Sequence, residues 1–301
     1  MKPPYVFDSI AALYKVLGLP KPMHPLVSIT NYKDITADTS EISQSMVLNL
    51  YKVSYKKYFT GKVKYGQQHY DFDEGGLSFI APNQVIAEDG AGGNYEGLTL
   101  LIHPDFLRTY PLGKTIKNYG FFSYAANEAL HLSAQERKTI INVMESIEEE
   151  LHHPIDHYSQ DVIVSYIELL LNYSNRFYNR QFITRKSANH DLLIQLETIL
   201  SDYFNQEKGL THGLPTVQYL SDRLNVSPRY LSDMLRSLTG QNAQQHIHNK
   251  LIDKAKEILG ATRLSVSEIA YLLGFEHPQS FSKIFRRKTN TSPGAFRQSL
   301  S

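Results

Sequence analysis

The 301-residue chain contains no cysteine. That absence removes disulfides, Cys-ligated zinc or iron–sulfur centres, thiol nucleophiles and thiol switches together. No stretch reaches the roughly 18 to 20 consecutive apolar residues needed to cross a bilayer. The opening residues, MKPPYVFDSIAALYKVLGLPKP, lack a basic n-region and a small-residue cleavage site. The expectation is a cytoplasmic protein with no membrane partner. There is no like-charge block that would form a disordered tail. Nor is there a phosphate-cradling glycine loop, a Ser/His/Asp arrangement or a pair of carboxylates at an interpretable spacing. Composition and motifs therefore point away from an enzyme and imply no cofactor.

What is present is ordinary globular material, 42% hydrophobic and 20% charged. At roughly 100 to 200 residues per domain, the length calls for two domains. The net charge of +1 hides an asymmetry: of 31 Lys+Arg and 30 Asp+Glu, 15 and 10 fall from Phe182 onward (net +5), leaving 16 and 20 before it (net −4). A C-terminal basic excess is where an anionic partner such as nucleic acid would be met.

Between residues 25 and 103 the apolar residues come in short runs, PLVSI, SMVLNLYKVSY, GLSFIAPNQVIAE and GLTLLIHP, punctuated by Gly and Pro-Asn turns. Val47, Asn49 and Tyr51 alternate with Leu48, Leu50 and Lys52, the period of a strand. An antiparallel barrel or sandwich over about 25–125 is expected. The glycine-rich stretch 90–97 reads as a lid or as a turn. Alternating aromatics, Tyr51, Tyr55, Tyr65, Tyr70, Phe72 and Phe79, are packing residues or the lining of a small-molecule pocket; Tyr51, Tyr65 and Phe79 are the candidate effector contacts.

The period then changes. Ser133 opens SAQE, a capping-box spacing, and Ile140, Met144, Ile147 and Leu151 share one helical face. A second helix places Val162, Tyr166, Leu169, Tyr173 and Phe177 on one stripe with Ile163, Ile167 and Leu170 beside it. So wide an arc can serve as core, or leave a seam for a second copy of the chain. Residues 1–180 are read as one domain with these helices at about 133–180. The polar segment 181–190, QFITRKSANH, is read as a linker, and 191–301 as an all-α domain.

Two stretches of that domain repeat one pattern. Val217, Leu220 and Leu224 form a helix face, Asn225-Val226 a turn, and Ser227-Pro228 starts a second helix with Leu231 and Leu235 inward. Val266, Ile269 and Leu273, then Gly274-Phe275, then a helix from about His277 with Phe281, Ile284 and Phe285 inward, repeat it. This is helix-turn-helix spacing, twice. Ser221 and Ala270 are small where helices must cross closely, and Asn225 and Gly274 tolerate positive φ. The second helices display Arg229, Ser232, Asp233 and Arg236, and then His277, Gln279, Ser282, Lys283, Arg286 and Arg287. Such side chains read base edges or hold phosphates. Residues 241–259 between the copies would span about 28 Å as helix, comparable to the roughly 34 Å turn of B-DNA.

The segment LTGQNAQQHIHNKLIDKAKEIL, followed by SVSEIAYLLGFEHPQSFSKIFRRKTNTSPGAFR, resembles the AraC/XylS family of bacterial transcription regulators over 215–297. Gly274-Phe275, Phe281, Phe285, Arg286, Pro293, Phe296 and Arg297 fall in the family's order; Asn290 stands where it usually has Gly and Lys250 where it usually has Arg. The resemblance implies a sequence-specific regulator of double-stranded promoter DNA. It also implies an N-terminal cupin-like barrel that binds a small effector, helices that make a homodimer, and RNA polymerase as a further partner, with activation the commoner outcome. Position by position, it places DNA contacts at Arg229, Ser232 and Asp233 with Arg236 near the backbone, and at Gln279, Ser282 and Lys283 with His277 nearby. Arg286, Arg287 and Lys288 form a basic face. Asp233 either accepts from a cytosine amino group or fixes a neighbouring arginine within the helix.

Three other readings compete. The N-terminal domain could dock a protein partner, or be a cupin-type metalloenzyme with His69, His103 and Glu74 as ligands. The chain could also be an architectural DNA binder, against which the acidic N-terminal half argues. His152, His153 and His157 flank Pro154 at a helix end, and His246 and His248 project from different helix faces.

Overall fold

The computed structural model describes residues 4–37, 46–57, 63–65, 68–70, 75–86, 96–125, 128–184 and 186–300. The chain divides into two compact units, Met1–Gln181 and Phe182–Ser301. The fold is mixed α+β, with antiparallel sheet in the first unit and helices in the second.

In the first unit, β1 (Tyr5–Phe7) leads into α1 (Ile10–Leu17), which Ser9 caps by accepting the Ala12 N–H and Gly18 ends in the left-handed region. The remaining strands are β2 (Val27–Asn31), β3 (Met46–Leu48), β4 (Tyr51–Lys56), β5 (Val63–Tyr65), β6 (Gln68–Tyr70), β7 (Gly76–Ile80), β8 (Gln84–Ile86), β9 (Gly97–Ile102) and β10 (Leu130–His131), with α2 (Pro111–Thr115) after β9. They form sheets ordered β10-β7-β4-β9-β2, β1-β3-β8 and β5-β6. Among the described residues none of these closes on itself, so the expected closed, cupin-like barrel is not what these strands build. The alternation read through 47–52 is also interrupted. β3 stops at Leu48, and Asn49 turns away to donate its N–H to the Phe7 carbonyl before β4 begins.

The central strand β4 separates two faces. Val53 and Tyr55 point one way with Phe79, and there Phe79 meets Phe121 at 4.3 Å, Phe122 at 5.6 Å and Tyr178 at 6.2 Å between ring centroids. Tyr178 belongs to α4 (Ser159–Thr184), which follows α3 (Ala134–His152). The capping box read at Ser133 is formed with Glu136, and Glu136 also accepts from Arg180, at 3.0 Å from Nε and 2.6 Å from Nη2. Arg180 donates to the His131 carbonyl and Gln181 accepts the His131 N–H, which fixes the end of α4 to β10. His152 reaches the Glu148 carbonyl through Nδ1 at the end of α3.

The wide stripe of α4 divides. Ile163, Ile167, Leu170 and Phe177 are buried, while Leu169 is 41% exposed and Val162, Tyr166 and Tyr173 are half-buried. Helix occupies most of the segment read as a linker, and the boundary between the two compact units falls at its start, between Gln181 and Phe182. α4 runs to Thr184 and α5 (Lys186–Asn205) starts at Lys186. The Asn189 amide donates to the Phe182 carbonyl.

The second unit continues with α6 (Gly209–His212), α7 (Val217–Leu224), α8 (Pro228–Thr239), α9 (Ala243–Ala261), α10 (Val266–Leu272), α11 (Pro278–Thr289) and α12 (Pro293–Gln298). Its core runs through Tyr203, Leu220, Tyr230, Leu231, Leu235, Leu251, Ala255, Ile269, Phe281 and Phe285. Phe281 joins Phe275 at 5.5 Å and Phe285 at 5.7 Å, and Phe285 joins Phe296 at 5.6 Å. Each of these aromatics buries large apolar area, which is how so short a helical unit holds together.

Candidate nucleic-acid interface

The second unit contains the same structural sentence twice. α7 is capped by Thr216, which accepts the Tyr219 N–H, and ends at Asn225 in the left-handed region with φ 54°. The chain turns there, Val226 donating to the Ser221 carbonyl at 3.1 Å. Ser227 then caps α8 by accepting the Tyr230 N–H, with Pro228 at the first helical position. In the second copy Ser265 and Glu268 cap α10 reciprocally, and Phe275 donates to the Ala270 carbonyl at 2.9 Å across the turn at Gly274, φ 96°. Pro278 opens α11 after His277. Ser221 and Ala270, both fully buried, fill the close-contact position in each copy. A β-carbon on Gly274 would stand 2.4 Å from the Gly213 carbonyl oxygen, so only glycine fits this turn.

The likeness continues past the second helices. Gly240 ends α8 at φ 75° and Asn290 ends α11 at φ 60°. Thr239 donates to the Leu235 carbonyl and Thr289 to the Phe285 carbonyl, and each accepts the N–H two residues on. The departure at Asn290 therefore keeps the backbone that glycine would adopt, because asparagine is the residue that tolerates this region best after glycine.

Between the copies lies α9, nineteen residues long and opened by a capping box of Asn242 with Gln245. It is tied to both units of the repeat. His246 reaches Thr239 at 2.9 Å and Glu197 at 3.5 Å. Asn249 donates to Gln241 at 2.7 Å and accepts from Lys288 at 2.9 Å. Lys288 is thus partly spent on holding α11 to α9. His248 is kept below its ordinary pKa by burial first, then by the charges of Arg287 and Lys288.

The side chains read as DNA contacts sit on the exposed faces of α8 and α11. Arg229 and Arg236 are exposed and Ser232 and Asp233 half-buried; on the second helix Gln279, Lys283, Arg286 and Arg287 are exposed, Ser282 is half-buried, and His277 is exposed at the helix start. The two faces differ in charge. Asp233 accepts from Arg229 Nε at 2.9 Å and from Arg236 Nη1 at 3.1 Å, so the intrahelical role is the one its geometry supplies. Lys283 occupies the matching place on α11, and Lys283, Arg286 and Arg287 form no ion pair with another described residue.

Arg297 plays a part that its place in a motif does not reveal. Its guanidinium donates to the Leu259 carbonyl at 3.2 Å and the Leu264 carbonyl at 2.6 Å. It satisfies the end of α9 and the loop into α10, an internal brace rather than a contact surface.

The structure describes the side chains of two of the three residues read as effector contacts, Tyr51 and Phe79. Tyr51 packs on Phe122 at 5.1 Å, and Tyr55 and Phe79 are buried on the helix-covered face of the sheet. The side chains of Tyr65, Tyr70 and His69, all of Phe72 and Glu74, and most of the 90–97 stretch lie outside the described residues. His103 accepts the Asp105 N–H at 3.2 Å as a helix cap. No group of three His, Asp or Glu among the described residues is placed to hold a metal. No helix among them is long and apolar enough to cross a membrane.

Two helix-turn-helix units joined by a capped helix define a class, the tandem helix-turn-helix DNA-binding domain. The helix-turn-helix domain family matches residues 220–299. The chain is 32% identical over 143 residues to the uncharacterized HTH-type transcriptional regulator YfiF of Bacillus subtilis, covering 48% of this chain and 42% of that protein. It is 29% identical over 168 residues to the HTH-type transcriptional activator RhaS of Escherichia coli, covering 56% and 55%. It thus spans about half the length of these curated relatives, whose names are those of transcription regulators. Among solved structures it is similar to the C-terminal domain of the response regulator yesN of Fusobacterium nucleatum, at 27% identity and a TM-score of 0.32, over 36% of this chain and 98% of that one. Residues 220–299 thus match a helix-turn-helix domain family, and the chain is similar to proteins named as HTH-type transcription regulators.

Proposed function

We propose that the protein binds promoter DNA sequence-specifically through α8 and α11, and that it activates transcription in response to a small effector bound by its N-terminal unit. The observation that carries this reading is the duplicated unit: two capped helices with outward Arg, Lys, Gln and Ser, set either side of a helix about 28 Å long. That spacing suits two major-groove segments on one side of the duplex. In this reading residues 1–180 are an effector and dimerisation domain and 191–301 the DNA-binding domain. The protein is a cytoplasmic homodimer with α4 as its seam, RNA polymerase is its further partner, and no enzymatic step is involved.

Selection of random duplex DNA on the full chain, followed by titration at several salt concentrations, tests it. Enrichment of two short boxes about one helical turn apart is expected. If no sequence is enriched and binding disappears with modest salt, the interface holds phosphates without reading bases and the proposal fails.

A further inference from the structure

We propose that Asn249 is a positioning residue for DNA reading: with Gln241 and Lys288 it forms a polar strut that fixes the second reading helix against the first and so sets the number of base pairs between the two boxes. The inference rests on the DNA-binding reading above and deepens it, since such a residue chooses among operators without touching a base.

The strut is continuous from one copy to the other. The Gln241 N–H donates to Thr239 Oγ1 at 3.2 Å, where α8 has just ended. The Gln241 side-chain oxygen accepts from Asn249 Nδ2 at 2.7 Å, and Asn249 Oδ1 accepts from Lys288 Nζ at 2.9 Å, in the last turn of α11. Lysine can only donate, so the oxygen of Asn249 has to face Lys288 and its nitrogen is left for Gln241. The repeated unit does not supply this arrangement. Thr239 and Gly240 correspond to Thr289 and Asn290, which puts Leu238 of α8 at the place of Lys288. The strut therefore belongs to the joint between the copies and not to the helix-turn-helix itself.

Its position gives it leverage. α10 and α12 pack on α9, and Arg297 ties α12 to the carbonyl of Leu259 near the end of that helix. Leu259 is ten residues beyond Asn249, about 15 Å along the helix axis. Lys288 thus meets α9 well away from that attachment, where it resists rocking of α11. One added base pair moves the second box by about 3.4 Å along the duplex and about a tenth of a turn around it. A hydrogen bond of 2.9 Å does not survive a displacement of that size, so engaging both boxes at the wrong spacing requires the strut to break.

The test measures the affinity of the full chain for the selected operator and for duplexes whose boxes stand one base pair closer or farther apart, all at one salt concentration. Wild type should prefer the selected spacing. Lys288→Met and Asn249→Leu should each lower that preference about fivefold, the order of one hydrogen bond made near the protein surface. Asn249→Asp, which keeps an oxygen for Lys288, should retain it. Lys288 is exposed, so its replacement leaves folding intact and decides the matter if Asn249→Leu folds poorly. A uniform loss of affinity at every spacing would make these residues phosphate contacts or ordinary packing and overturn the strut. So would an unchanged preference in Lys288→Met and Asn249→Leu, or an Asn249→Asp chain that behaves like Asn249→Leu. A wild type that selects a two-box operator while the variants keep its spacing sinks this inference alone; a wild type that selects no operator sinks the DNA-reading proposal and this one with it.

Discussion

Replacing Asp233 by Ala separates a residue that orients readers from one that merely sits near phosphates. In the free protein its carboxylate holds Arg229 from one oxygen and Arg236 from the other, with the arginine side chains 47% and 54% exposed. Exposed intrahelical pairs of this kind contribute about 0.3 to 0.5 kcal/mol each. Folding should therefore lose less than about 1 kcal/mol, too little to confound binding. On DNA two effects oppose. Removing a negative charge from the interface steepens the slope of log K against log salt by about 0.9 and strengthens binding to any sequence. Releasing Arg229 from its fixed orientation costs part of the roughly 1 to 3 kcal/mol by which a well-placed arginine discriminates bases. At about 1 kcal/mol, the specific-to-non-specific ratio falls about fivefold while non-specific affinity rises. Titrating selected and scrambled duplexes at three salt concentrations measures both. Equal strengthening on the two duplexes would refute the orienting role and leave only relief of repulsion.

Three further outcomes follow from the same geometry. Arg297→Ala should lower unfolding free energy in urea by about 2 kcal/mol, the order of its two charge-assisted bonds to Leu259 and Leu264 carbonyls. Arg297→Lys should recover little of it, since an ammonium lacks the fork that spans both oxygens. Gly274→Ala should destabilise the second unit and abolish binding to a two-box site, because the turn is at φ 96° and the new methyl would meet the Gly213 backbone at 2.4 Å; unchanged urea midpoint and affinity would show that the turn relaxes freely.

Helix-turn-helix spacing was legible because the turn demands particular residue types. Asn225 and Gly274 were readable as positive-φ positions, and Ser133 and Ser227-Pro228 as helix starts, since each requirement is local in sequence. The sheet was read less well because burial there is set by partners far along the chain. Lys52, Ser54 and Lys56 alternate with Val53 and Tyr55 like a solvent face, and only the covering of both faces of β4 makes Ser54 and Lys56 interior. Of the aromatics nominated for a pocket, Phe79 packs against Tyr178 of α4 and Tyr51 against Phe122, while the side chains of Tyr65 and Tyr70 and all of Phe72 lie outside the described residues. The segment 181–190 was read as a linker, and the boundary between the two compact units falls at its start, but helix occupies most of it because Gln, Arg and Lys propagate helix well. Arg297 was visible as a motif letter, but its two carbonyl partners lie on another helix and a loop.

The dimer seam proposed on α4 bears on how tightly the whole protein holds an operator. Ile163, Ile167 and Leu170 are already committed to the core of their own chain, so a partner helix could meet only the other edge of the stripe, with Leu169 at its most exposed point. Charge placed there costs little in the single chain, yet it would bury an unpaired cation in a dimer. Leu169→Arg should therefore convert a sedimenting dimer to monomer with little change in thermal stability. Joining two DNA-binding domains raises affinity through effective concentration by roughly 10² to 10⁴ where both can engage at once. The variant should lose a factor of that order on DNA carrying two operators at the selected spacing, and nothing on DNA carrying one. A chain whose sedimentation does not respond to Leu169→Arg has its seam elsewhere. The exposed edge of α4 would then be surface with no share in operator affinity, and the two helix-turn-helix units of one chain would have to supply all of the specificity themselves.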